Sequence, residues 1–150
     1  MKVYIDADGN AVTSIVEEIC KKYNIPVIAV KNYNINLKSD YIEIVTVDDY
    51  KESADLYIAN HISKDDILIT NDYGLSSLVV NKCKKVINQS GMIIDNSNID
   101  FLLNTRHIHK EMRLKHNVYT KSKKRTSLND ETFKSVFENY ILSEINNSPL

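Results

Sequence analysis

Residues 3–12 read VYIDADGNAV: an apolar run, two carboxylates one residue apart, a glycine, and the start of a new periodicity. Residues 2–5 (KVYI) are rich in β-formers, and Val12, Ile15, Val16, Ile19, Cys20 and Tyr23 then recur at helical spacing, so the stretch reads as strand, tight turn and helix. The acids Asp6 and Asp8 fall where the strand ends. Three roles are open to them: holding a metal ion, supplying a nucleophile, or turning the chain and capping the helix.

The same alternation continues outward. IPVIAV (25–30) is a β-branched run and YIEIVTV (41–47) alternates, with the polar KNYNINLKSD between them. From about Lys51 to Ile62, Ala54, Tyr57, Ile58, His61 and Ile62 share one helical face. DILIT (66–70) is a buried-type strand, GLSSLVVNK a short helix and KKVINQ (84–89) a fifth strand. A helix capped by Asn96 or Ser97 runs to about Lys115 with Ile99, Leu102 and Leu103 inward. Ser127-Leu-Asn-Asp130 resembles a capping box for a last helix, around 129–145, with Phe133, Val136, Phe137, Tyr140 and Ile141 inward. Strands alternating with helices predict an α/β fold: a mainly parallel sheet of about five strands with helices on both faces.

In such a sheet ligands bind beyond the carboxyl ends of the strands, where the strand order reverses. With the order 3-2-1-4-5, the first and fourth strands adjoin, so Asp6 and Asp8 approach Asp72, which follows DILIT in ITNDYGL. Asp55, near the start of the helix before the fourth strand, can reach the same place. Clustered carboxylates repel one another unless a cation is present, and Mg²⁺ or Mn²⁺ suits such oxygen ligands. Each acid also has a plainer reading: Asp8 as a helix cap, Asp72 as a turn residue before Gly74, Asp55 as a first-turn acid favoured by the helix dipole. Asp65 and Asp66 read as turn residues. Asp6 resists a structural explanation, because an unpaired charge at a buried strand end is costly. GxxxxGK[ST], GxGxxG and GxSxG are all missing, which argues against nucleoside-triphosphate hydrolysis and serine-hydrolase chemistry.

The chain has 150 residues, 43% of them apolar, enough for one core, and one domain over 1–150 is expected. No run approaches the roughly 18 apolar residues of a membrane span, and the N-terminus lacks the basic-then-apolar pattern of a leader, so a cytoplasmic protein is expected. Cys20 and Cys83 have no metal or disulfide spacing and read as core residues. Charge is uneven: residues 1–80 carry 13 acids and 7 bases, whereas 106–125 carry 8 bases and one acid, Glu111. That layout suits a polyanion approaching a cation-dependent carboxylate site, or simply a solvated basic loop around 117–127. His107, His109 and His116 lie in the basic segment without metal-ligand spacing.

DADGNAV invites comparison with haloacid-dehalogenase-type phosphatases, in which Asp6 would be the nucleophile and Asp8 the general acid/base, but no late Lys motif with an acidic pair follows in the expected order. Nearly the whole chain resembles the YaiI/YqxD family of bacterial proteins with a PIN-like domain. The resemblance rests on DADGNAV, SADLYI (53–58), ILITNDYGLSS (67–77) and SGMIIDNSNIDFLLNTR (90–106), in that order and spacing. Two departures stand out: the family's Cys-Pro is Asn10-Ala11 here, and KSKKR replaces a Gly-Pro-rich stretch before the last helix.

The resemblance implies a PIN-like three-layer fold and an activity of the kind common among PIN-like domains, Mg²⁺- or Mn²⁺-dependent cleavage of RNA phosphodiesters. It makes Asp6, Asp8, Asp55 and Asp72 the metal-site and catalytic acids, with Thr70 and Asn71 lining the site. Lys121, Lys123, Lys124 and Arg125 would steer single-stranded RNA. Two other readings stay open: a non-catalytic module that binds nucleic acid or protein, and the haloacid-dehalogenase-like phosphatase.

Overall fold

Strand β1 (Val3–Asp6) sits at the centre of the sheet, paired on one side with β2 (Val27–Asn32) and on the other with β4 (Ile67–Ile69). The computed structural model describes residues 1–50, 52–116 and 124–147. With β3 (Glu43–Val47), β5 (Lys85–Ile87) and β6 (Ile93–Ile94), the order is β3-β2-β1-β4-β5-β6. All pairings are parallel except the last. The strand order reverses between β1 and β4, where the sequence placed the switch.

The sixth strand is an addition to the expected five. It has two residues, too few for a periodicity to register, and it folds back because Asn88 Oδ1 accepts hydrogen bonds from the Ser90 and Met92 N–H groups. Gly91 makes that turn with φ +88°, a conformation strained for any residue with a Cβ, and a Cβ there would stand 3.3 Å from Val136 Cγ2.

Alternation along β1 divides the core. Val3 and Ile5 join Ile67, Ile69, Val16, Ile19, Cys20, Phe133, Phe137 and Ile141 on one face, beneath helices α1 (Thr13–Lys22) and α5 (Ser127–Asn147). Tyr4 joins Leu68, Ile58, Leu75, Val79 and Ile99 on the other, beneath α2 (Ser53–His61), α3 (Tyr73–Val79) and α4 (Ile99–His116). The result is a three-layer α/β arrangement. Because side chains alternate with period two, Asp6 shares the face of Tyr4, and Thr70 shares that of Leu68. Both therefore turn toward the layer that contains α2 and α3.

The helix ends differ in detail from the sequence reading. Asn10, not Asp8, serves the start of α1: its Oδ1 accepts from Val12 N–H and Thr13 Oγ1, while its Nδ2 donates to the Asp6 carbonyl. Before α4, neither Asn96 nor Ser97 caps. Asp95 organises the turn, accepting from Ser97 N–H, and Asn98 Oδ1 accepts from Asp95 N–H. The box at α5 begins one residue earlier than Ser127, with Asn129 Oδ1 accepting from both the backbone and the hydroxyl of Thr126.

Asp66 is no ordinary turn residue. It is buried, with Oδ1 accepting from Lys2 N–H and Oδ2 from Ser63 N–H and Oγ, so it ties the chain start to the turn before β4. Cys20 is buried and Cys83 only partly so; both are free thiols. Among the described residues, no helix is long and apolar enough to cross a membrane.

Candidate metal centre

Three elements deliver one carboxylate each to the carboxyl edge of the sheet. Asp6 closes β1, Asp55 lies in the first turn of α2, and Asp72 caps α3 after β4. One oxygen from each falls within 4.8 Å of the other two. Asp8 stands outside this group and is exposed, though it lines the same cleft.

Thr70 connects two of the acids. Its hydroxyl donates to Asp6 Oδ2 (2.9 Å) and accepts from Asp72 N–H (3.0 Å). Thr70 is fully buried, so it acts by fixing these carboxylates and not by touching a ligand. Asn71 lines the cleft, yet its Oδ1 accepts from Gln89 N–H (2.8 Å) and holds β4 to the end of β5. Asp72 Oδ1 caps α3 by accepting from Leu75 N–H (3.0 Å) and lies 3.6 Å from Arg106 Nη1 on α4.

The electrostatics follow from this crowding. Asp6, 9% exposed, has its carboxyl pushed up to about 6, chiefly by burial; the Thr70 hydrogen bond opposes the shift, and the charges of Asp8 and Asp72 reinforce it. Asp55 is also pushed up to about 6, by burial first and then by Asp72, Asp6, Glu52 and Asp8. Glu52 precedes α2 in a left-handed conformation (φ 72°), a strained geometry for a residue with a Cβ. The donor set is all hard oxygen, and three carboxylates so close together suit a divalent cation of the Mg²⁺ or Mn²⁺ type.

The carboxylates line an open cleft of about 1500 Å³. Asp49, Tyr50 and Glu52 line the same cleft, as do Arg106, His109, Lys110 and Arg113 of α4. These α4 residues were inside the basic segment noted in the sequence. Their spacing at i, i+3, i+4 and i+7 was the available signal for a shared helical face. Of the four basic residues expected to steer RNA, Lys121 and Lys123 lie outside the described residues. Lys124 and Arg125 do not line the cleft, and Arg125 Nε donates to Asp130 Oδ1 (2.7 Å).

Fold and cluster together define a three-layer α/β protein with a carboxylate triad at the topological switch point. The family model described as "Uncharacterized BCR, YaiI/YqxD family" matches residues 4–143, and the chain belongs to that family. A UPF0178 protein of Alkaliphilus oremlandii is 43% identical over 141 residues, covering 94% of this chain and 91% of the relative. UPF0178 proteins of Natranaerobius thermophilus (38%; 95% and 97% covered) and Ruminiclostridium cellulolyticum (35%; 96% and 94% covered) are similar throughout their length. No solved structure matches the chain.

Proposed function

We propose that this protein is a divalent-metal-dependent nuclease of PIN-like architecture that acts on RNA phosphodiesters. One observation carries the reading: carboxylates from three separate elements meet within 4.8 Å although burial and neighbouring acids disfavour the charged forms of Asp6 and Asp55. Asp6, Asp55 and Asp72 would hold Mg²⁺ or Mn²⁺, with Asp8 completing the site through water. Such an ion, when bound, acidifies water for attack and neutralises charge developing on a phosphoryl oxygen. The chain's own part is to fix the carboxylates, through Thr70 and the α3 cap, and to set Arg106 beside Asp72. Lys121, Lys123, Lys124 and Arg125 would add long-range attraction for RNA, a contribution that weakens as salt rises.

The opening-motif phosphatase gives Asp6 the nucleophile role and Asp8 the acid/base role, and assigns no part to Asp55 or Asp72. The grouping of Asp6 with Asp55 and Asp72, and not with Asp8, favours the metal site over that assignment of roles. Calorimetric titration of Mn²⁺ into wild type and Asp72→Asn tests the proposal. Wild type should bind and the variant should lose most of that affinity, with cleavage of single-stranded RNA by wild type abolished by EDTA. Equal Mn²⁺ binding by both proteins would sink the site. Metal binding without RNA cleavage would leave a non-catalytic module.

A further inference from the structure

We infer that the cleft-facing side of α4, carrying Arg106, Lys110 and Arg113 with Phe101 at its start, is the wall along which a single strand of RNA lies. This rests on the nuclease reading for the choice of substrate and adds the surface that binds it. Arg106, His109 and Arg113 follow one another at spacings of three and four residues, and Lys110 flanks them, so they form one stripe along the helix. From Arg106 to Arg113 the stripe covers roughly 10 Å of helix axis, long enough to meet more than one phosphate.

Its charges are differently disposed from those elsewhere on α4. His107 and Lys115, away from the cleft, both face Glu111. Lys110 and Arg113 have no ion-pair partner among the described residues, although Asp6, Asp8, Asp49, Glu52, Asp55 and Asp72 line the same cleft. Arg106, beside Asp72, brings the stripe up to the carboxylate triad.

A phosphate chain is the ligand that both sets of lining groups accept: its charge meets the α4 cations and a metal held by the acids. Phe101 is 72% exposed and Tyr50 77% exposed, and both line the cleft, where their faces are available for unpaired bases to stack upon. In a duplex those base faces are already covered, which selects a single strand. Tyr73 also lines the cleft, but it is packed against the core.

The test is fluorescence anisotropy with a labelled single-stranded RNA of about 12 nucleotides, in EDTA, at several salt concentrations. Lys110→Gln/Arg113→Gln should weaken binding about tenfold at low salt and flatten the slope of log K against log salt by about 1.4, as expected for two lost phosphate contacts. Phe101→Ala should weaken it by at least about fivefold, with the salt slope unchanged. Lys21→Gln/Lys64→Gln, which removes two exposed cations elsewhere, should match wild type. Unaltered binding by the α4 variant, no binding by wild type, or preference for a hairpin duplex would each overturn the inference. Mn²⁺ calorimetry on the α4 variant separates the two proposals, since the stripe can fail while the metal site stands, and the reverse.

Discussion

A single hydroxyl oxygen, that of Thr70, bonds the Asp6 carboxylate and the main-chain N–H of Asp72, and so ties two of the three clustered acids together. Replacing it by Val preserves the shape but removes a donor to Asp6 and the acceptor of the Asp72 N–H, both in a poorly solvated place. Leaving a buried partner unsatisfied typically costs about 1–3 kcal/mol. Thr70→Val should therefore lower unfolding free energy by about that amount in a denaturant titration. It should also weaken Mn²⁺ binding, because the bond that favours the charged form of Asp6 is gone. Thr70→Ser, which keeps the hydroxyl, should restore most of the metal affinity. If Thr70→Val binds Mn²⁺ as wild type does, the hydroxyl is not what orders the acids.

At the level of elements, α3 links stability to the candidate site through its first turn. A Cβ at Gly74 would stand 3.1 Å from Asp72 Oδ1 and 3.2 Å from Arg106 Nη1. Both are ends of side chains, so they can move aside, but moving Asp72 disturbs its cap to Leu75. Gly74→Ala gains up to about 1 kcal/mol of helix propensity and loses a similar amount of capping, so thermal stability should change little. Mn²⁺ affinity should nevertheless fall, which calorimetry beside a thermal melt would separate; a fall in both would mean that the helix itself is broken. Asp66→Asn should do the opposite. It weakens a buried acceptor of three hydrogen bonds and should destabilise the fold by about 1–3 kcal/mol while leaving metal affinity intact.

This contrast shows what the sequence exposes at this scale. Asp6 and Asp72 were visible because strand periodicity and strand order fix where strands end, and Asp55 because a helix start is marked by its periodicity. Asp66 was hidden: its partners are the backbone at Lys2 and the Ser63 turn, and no local pattern announces a hydrogen bond across 64 residues. The caps at Thr126 and Asp95 were missed by a residue or two for a different reason. Neighbouring Ser, Thr, Asn and Asp compete for the same role, and only tertiary packing selects among them. The cleft lining on α4 needed the packing of α4 beside α3, which brings cations distant in sequence to the cleft that the acids also line.

For the whole molecule, the crowded acids set stability against metal binding, and pH gives that opposition a sign. Asp6 and Asp55 have folded-state values of about 6 against an ordinary 3.8, so between those limits the folded protein holds more protons than the unfolded chain. Unfolding free energy contributed by these groups must then rise as pH falls through 6, and it is lowest above 6, where both are charged. Asp6→Asn removes one such charge permanently. Without metal at about pH 7.5, the variant should be more stable than wild type by about 1–2 kcal/mol, and the difference should shrink as wild type is protonated toward about pH 4.5. Mn²⁺ should reverse the order. At a hundredfold excess over its Kd a bound ion adds about 2.7 kcal/mol to wild type and raises Tm by roughly 5–11 °C in a chain of this size. The variant, lacking one ligand, should gain much less. Thermal melts of both proteins across pH, with Mn²⁺ and with EDTA, therefore give one crossing pattern. A variant that is less stable than wild type in EDTA at neutral pH would show that Asp6 is held by favourable contacts, and that no cation is needed to relieve the cluster.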